Sequence, residues 1–286
     1  MSRPAVSVVV PFTGGEGEAR ELLGTLAGLD RAAGDELIVA DNTASGVVAR
    51  LDPEGIAVVA AAEHRSASFA RNAGAGAASG EWLLFTDADC VPPAGLLDEM
   101  LAPAVGERCG VVAGEVEGLS SQAAPPARWA RSRRGSWVER HISAPPAPAG
   151  VTANLAVRRV AFEQLGGFRI GGGGDLDLCW RAAERGWQLE YRPEAVVAHR
   201  DRERWRELAA QAAAYGGHQR RLRELHGEAV PRVTLAGHLA RALGGGAAWA
   251  VRGERERASF KLADGVWAAC EWWGWVTRGA RTRRAD

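Results

Sequence analysis

Apolar residues along this chain gather in short runs, separated by longer stretches with helical spacing. Residues 6–10 (Val-Ser-Val-Val-Val) form a run ended by Pro11, and 36–40, 56–60 and 82–85 form three more. Runs this short and this rich in Val, Ile and Leu predict strands, with 6–10 and 82–85 reading as buried ones. Between them, 18–29 carries Leu22, Leu23, Leu26 and Leu29 at helical spacing, and 66–78 predicts a second helix. Strands alternating with amphipathic helices predict an α/β fold: a Rossmann-like, mostly parallel central sheet flanked by helices. In open sheets of that kind, ligands sit beyond the carboxyl ends of the strands.

The pattern changes after residue 120. Segment 120–150 is rich in Pro, Ala and Arg and reads as a long surface loop with a short helix over 128–141. Regular structure resumes at Val151, with a helix over 159–165, then Gly166-Gly167-Phe168 and a glycine run at 171–174 read as flexible. A helix over 175–185 and a strand ending at His199 follow. Residues 201–225 are helical in pattern, with Trp205, Leu208 and Tyr215 on one side. The tail from Val233 is expected to be helical too. It concentrates Trp249, Trp267, Trp272, Trp273 and Trp275 ahead of Arg278, Arg281, Arg283 and Arg284. The expected division is a domain at 1–200 and a helical C-terminal extension at 201–286.

Totals narrow the function classes. Lys+Arg and Asp+Glu balance at 35 each, so global charge does not point to nucleic acid, and none is expected as a partner. Cys90, Cys109, Cys179 and Cys270 are far apart with no Cys-x-x-Cys pair, which argues against a zinc site or a disulfide framework and fits a reducing cytosol. The N-terminus enters a strand-like run at once, without a secretory apolar region. Residues 233–251 come nearest to a membrane span, but His238, Arg241 and Gly244-Gly245-Gly246 interrupt them. The expectation is a cytoplasmic protein, soluble or peripheral on the inner membrane face.

The stretch with most chemical content is Trp82-Leu83-Leu84-Phe85-Thr86-Asp87-Ala88-Asp89. A strand's side chains alternate faces, so carboxylates at i and i+2 just past its end can point to one site. Hard oxygen ligands of this kind suit Mg2+ or Mn2+ carrying a diphosphate, because such ions keep several waters and accept one or two protein carboxylates. Taken alone, Asp-x-Asp is more often an acidic turn, so its surroundings decide the reading.

Those surroundings are five ordered pieces. They are Ser7-Val8-Val9-Val10-Pro11, then Glu36-Leu37-Ile38-Val39-Ala40-Asp41-Asn42, Ser68-Phe69-Ala70-Arg71-Asn72-Ala73-Gly74 and Phe85-Thr86-Asp87-Ala88-Asp89. The last is Gly166-Gly167-Phe168 with Asp175-Leu176-Asp177-Leu178-Cys179-Trp180-Arg181. From about Val6 to His199 the chain resembles the family-2 glycosyltransferases of GT-A fold, of bacterial rhamnosyltransferase-like or cell-wall polysaccharide type. The resemblance implies an inverting transfer from a nucleoside-diphosphate sugar to a hydroxyl on a glycan, lipid-linked or small-molecule acceptor, with Mn2+ or Mg2+. It implies that Pro11, Thr13, Asp41, Arg71 and Asp87 line the nucleotide, and that Asp89 and His199, with Asp87 through a bound water, serve the metal. Asp175 is implied as general base, Asn154 and Asp177 as acceptor contacts, and the halves 1–117 and 118–200 as the nucleotide and acceptor sides.

Each of these residues also has a plain structural reading. Asp41 before Asn42-Thr43 suits a turn, Arg71 a solvated helix position, and His199 a satisfied strand end. Asp175 suits a helix N-cap, and Asp177 an i, i+4 pair with Arg181. Trp180 and Trp187 suit the core, and the arginines between 128 and 140 a solvated loop. The family usually has Glu where this chain has Gly174, which puts the acceptor side in question. A catalytically impaired nucleotide-sugar-binding scaffold is therefore one alternative. A sugar nucleotidyltransferase, suggested by Gly14-Gly15-Glu16-Gly17, is a weaker one, because no lysine precedes Lys261. The dinucleotide pattern fails at Arg20. The aromatic tail is open to a peripheral membrane contact or to packing as a helical hairpin or dimer face.

Overall fold

A computed structural model describes residues 3–102, 104–134, 137–143 and 146–282. It divides into two compact units. One comprises Met1–Leu119, Arg134–Ile170 and Gly174–Arg200, the other Ser120–Arg133, Gly171–Gly173 and Asp201–Asp286.

The first unit is built on strands β1 (Val6–Phe12), β2 (Glu36–Asp41), β3 (Ala57–Ala60), β4 (Trp82–Phe85), β5 (Cys90–Val91), β6 (Cys109–Gly118), β7 (Leu155–Arg158) and β8 (Gln188–His199). They form an eight-stranded sheet in the order β3-β2-β1-β4-β7-β6-β8-β5. Val6, Val8, Val9 and Val10 of β1 are fully buried, as a strand covered on both faces requires. Helices α1 (Glu16–Ala27), α2 (Ala67–Gly76) and α3 (Leu96–Leu101) occur in its first half. Ser66 caps α2 by accepting from the Phe69 N–H. Helices α6 (Arg159–Leu165) and α7 (Gly174–Glu184) follow β7.

The parallel arrangement expected from the strand–helix alternation holds for β3-β2-β1-β4. Beyond β4 the sheet is mixed: β7 runs antiparallel to β4 and β6, β5 antiparallel to β8, and only β6 and β8 are parallel. β6 is a strand that the apolar pattern does not announce. Segment 120–150 is more ordered than a loop, containing α4 (Pro125–Arg134) and α5 (Trp137–Ile142).

The second unit is helical: α8 (Trp205–His226), α9 (Ala236–Val251) and α10 (Arg255–Thr282). Trp129, Leu208 and Ala263 form its buried cluster, with Phe260 and Trp267 against them. α8 and α10 cross with backbones in contact. A methyl on Gly216 would lie 1.8 Å from the Glu271 carbonyl oxygen, and one on Gly274 1.8 Å from that of Ala213.

Two expectations are corrected here. The glycines at 171–173 are packed rather than flexible: a side chain at Gly172 would overlap the His218 ring, and one at Gly173 would meet Leu222. The arginines of 128–134 do not lie in a loop either: they are on α4, and the exposed Arg128 and Arg133 are each paired. Arg128 pairs with Glu256, and Arg133 donates to both oxygens of Asp264 at 2.7 and 2.9 Å. Arg131 donates to the carbonyls of Ser120 and Gln122. Arg281, Arg283 and Arg284 lie outside the residues whose side chains are described, as does Arg278.

Candidate active site

The acidic segment leaves β4 and turns back into β5, so its position follows from main-chain pairing. Cys90 of β5 pairs with His199 at the end of β8, and the Arg200 N–H donates to the Asp89 carbonyl at 2.8 Å. That ladder sets Asp89 beside His199, with Oδ1 3.5 Å from Nε2. Two neighbouring ligands of an octahedral dication at about 2.1 Å stand about 3 Å apart, so one carboxylate and one imidazole are spaced to share an ion. Among the described residues no three His, Cys, Asp or Glu side chains gather into a metal cluster. An ion held here would complete its shell with waters and phosphate oxygens, as Mg2+ and Mn2+ do.

Asp87 is engaged otherwise. Its Oδ1 accepts from Arg71 Nη2, and the guanidinium lies over the Phe168 ring, 5.9 Å from its centroid. Arg71 is thus a buried helix residue aimed at the acidic turn, not a solvated one. Its Nε is buried without an acceptor in the protein, a donor left over in a site lined with charge. Nearby, Cys90 stays a thiol: burial pushes it well above the usual range, and Asp87 and Asp89 push it further.

The other expected residues separate into two groups. Asp41 ends β2 and is buried; Oδ1 accepts from the Thr43 N–H and hydroxyl at 3.0 and 2.6 Å, and Oδ2 from the Val48 N–H at 2.8 Å. It therefore makes the turn that the Asp-Asn-Thr pattern suits. Asn154 is wholly buried and bridges strands, its Nδ2 donating to the carbonyls of Glu115 and Ala195. Its Oδ1 has no protein partner. Asp177 is 1 % exposed and held between Arg169 and Arg181, each at 2.8 Å. By contrast, Thr13 is exposed just past β1, while Pro11 is half-buried. Asp175 is half-buried in the first turn of α7, where the Leu176 N–H donates to it at 3.0 Å. Anions are favoured at that end of a helix. Gly174, where the family usually carries Glu, has Ser68 Oγ 2.9 Å from the point its Cβ would occupy. Trp180 is core, with its Nε1 bonded to the Ala147 carbonyl.

Two contacts went unread in the sequence. Asn72 clamps the backbone of Phe168, and Arg134 Nη2 lies 2.9 Å from His199 Nδ1. Asn72 stood in a quoted motif and could have been singled out as the amide following Arg71. Arg134 had no local signal.

The sequence model of glycosyl transferase family 2 matches residues 7–166, more than half of the chain. The chain belongs to that family. Among its relatives is the pre-mycofactocin glycosyltransferase of Mycobacterium tuberculosis, 29 % identical over 245 residues that cover 81 % of this chain and 50 % of the relative. The chain thus spans about half the length of the curated relatives it matches. Solved structures share the fold. A mannosyltransferase from Pyrobaculum calidifontis in complex with GDP-Man and Mn2+ superposes with a TM-score of 0.62, at 22 % identity over 94 % of this chain and 88 % of that one. Glucosyl-3-phosphoglycerate synthase from Mycobacterium tuberculosis, in complex with Mn2+, UDP-glucose and phosphoglyceric acid, gives 0.57 at 20 % identity, over 77 % and 79 %. As a family-2 member, the chain carries its acidic turn and Asp175 on a GT-A sheet.

Proposed function

We propose that this chain is an inverting glycosyltransferase, moving a sugar from a nucleoside diphosphate to an acceptor hydroxyl with Mn2+ or Mg2+. The observation that carries the reading is the Asp89–His199 pair, held 3.5 Å apart by main-chain register. Asp89 and His199 would hold the ion, which when bound would offset the charge of the departing diphosphate. Arg71, placed by α2 and steadied by Phe168, lends its fork to the nucleotide's phosphates or base, and Asp41 orders the turn beside Thr13 that receives the base.

Asp175 takes the proton of the acceptor hydroxyl. The freed oxygen lone pair bonds to the anomeric carbon as the bond from that carbon to the diphosphate breaks on the opposite face, so the configuration inverts. A positioned carboxylate base contributes about 10²–10⁴-fold to such a step. Asn154 shapes the acceptor side by tying β7 to its neighbours, and the Asp177 ion pairs brace the helix that carries Asp175.

The test is transfer, with Mn2+, from UDP-, GDP- and dTDP-sugars to acceptors that include pre-mycofactocin and phosphoglyceric acid, the compounds named for the relatives. Product anomers are read by NMR. Nucleotide binding without turnover on any donor would favour the scaffold reading, and retained configuration would remove the inverting step. A peripheral membrane contact has its own support: Leu243, Val251, Leu262, Val266 and Trp273 are exposed on α9 and α10. Among the described residues, no helix is long and apolar enough to cross a membrane. Flotation with anionic vesicles decides whether that face meets lipid.

A further inference from the structure

We infer that a cavity at the carboxyl end of α7 binds a phosphate-bearing small molecule, at a place separate from Asp175. It measures about 380 Å³ and is lined by Arg169, Arg181 and Arg185, with Glu184 and the Gly166-Gly167 turn. Small-molecule sites run from about 300 to 1,000 Å³ and are mostly apolar. Here Leu165 is the single large apolar residue in the lining. Walls this polar suit a strongly polar ligand, and three guanidinium groups against one carboxylate favour an anion.

Arg181 and Glu184 are three apart on α7 and Arg185 follows directly, so all three lie along one side of the helix's end. α6 ends at Leu165, and the chain turns through Gly166 and Gly167 at φ of 70° and 72°, a conformation that favours glycine. The turn brings two carbonyls to Arg181, whose Nη1 donates to Leu165 at 2.7 Å and Nη2 to Gly167 at 2.8 Å. Its Nε donates to Asp177 at 2.8 Å. The Arg181 side chain, 10 % exposed, is thus fixed in orientation before a ligand arrives. Arg169 and Arg185 are exposed. Among the described residues each gives one N–H to the protein, Arg169 to Asp177 and Arg185 to the Gln164 carbonyl. A guanidinium carries five donors in a planar fork that matches phosphate oxygens in pairs, so both retain donors for a ligand.

Helical geometry keeps this cavity apart from Asp175. Between Asp175 and Glu184 an α-helix turns by about 180°, after whole turns, and advances by about 14 Å. Asp177 connects the two places: it is 1 % exposed and shared between Arg169 and Arg181. An anion that engages Arg169 competes with Asp177 for it, so occupancy is felt by the helix that carries Asp175. Binding itself does not depend on Asp175 being the base.

The experiment is calorimetric titration with inorganic phosphate, pyrophosphate and glycerol phosphate, in EDTA and at constant ionic strength, with glycerol as the neutral control. It is run on wild type, Arg169→Gln, Arg185→Gln, Glu184→Gln and Arg71→Gln, and amide NMR shifts locate the ligand. Saturable binding of at least one phosphate, and not of glycerol, is expected, with shifts at Gly166, Gly167 and Arg185. Arg169→Gln and Arg185→Gln should each weaken it about five-fold or more. Arg169→Gln also removes an ion pair from buried Asp177, so Arg185→Gln, which loses one bond to a carbonyl, is the variant that decides. Glu184→Gln should tighten binding about two-fold, and Arg71→Gln should leave it in place. Failure of all three phosphates to bind saturably overturns the inference. So does binding that weakens in Glu184→Gln. Binding that Arg71→Gln abolishes and Arg185→Gln leaves unchanged overturns it too, and assigns the anion to the nucleotide site instead.

Discussion

Asn72 and Phe168 exchange two hydrogen bonds: the Asn72 amide donates to the Phe168 carbonyl at 2.8 Å, and its oxygen accepts from the Phe168 N–H at 2.9 Å. One side chain thereby imitates a strand partner for a single residue ninety-six positions away. It joins the Arg71 motif to the Gly-Gly-Phe motif and fixes the ring over which Arg71 lies. Asn72→Leu leaves an N–H and a C=O without partners and is expected to destabilise the protein by about 2–4 kcal/mol. Asn72→Asp, which keeps the acceptor alone, should cost less in the same urea-unfolding series than Asn72→Leu.

Asp175→Asn should lower kcat by about 10²–10⁴-fold, with little change in donor KM, because the amide keeps the helix-start geometry but takes no proton. Steady-state kinetics at saturating acceptor measure it. A fall confined to KM would remove Asp175 from the base role.

The crossing of α8 and α10 has no room for a side chain. Gly274→Val or Gly216→Val forces the two backbones apart and should destabilise the second unit by about 3 kcal/mol or more. Amide exchange will show the loss of protection in α8 and α10.

Asp35 contributes to the acid sensitivity of the first unit. Burial pushes its carboxyl up, but hydrogen bonds from Arg3 and from the Val6 and Ala32 N–H groups outweigh burial, and the net position is below the usual range. A carboxylate lowered in the folded state adds stability that is complete above its unfolded value of about 3.9 and is lost as pH falls through the folded one. Asp35→Asn should be less stable at neutral pH and should show a shallower loss below about pH 4. Unfolding free energies across that range test it.

Fold and site differed in how openly the sequence carried them. Strands β1, β2 and β4 were plain because each is a short, mostly apolar run that the fold buries. β6 was not, since Gly110 and Gly114 break its pattern. Those glycines serve the packing: a side chain at Gly110 would strike the Trp187 ring, and one at Gly114 would strike the Asn154 amide. Asp87, Asp89, Asp175 and His199 could be singled out from motifs, since each is an ionisable residue at the end of a strand or the start of a helix. The partners of Arg128 and Arg133 lie over a hundred residues away, at Glu256 and Asp264, and no local spacing marks such pairs. Asp41 and Asp177 showed the opposite difficulty. Their residue types were conspicuous, but only the fold reveals how many hydrogen bonds each already makes.

The two-residue strand β5 carries a further consequence. Because Asp89 meets His199 through the pairing of Cys90 with that histidine, their meeting depends on chain length more than on side-chain identity. Adding or deleting one residue between Asp87 and Cys90 would change the turn that sets the carboxylate beside His199. Insertions in surface loops elsewhere would leave it untouched. The length of this short return is therefore constrained by the pairing of β5 with β8.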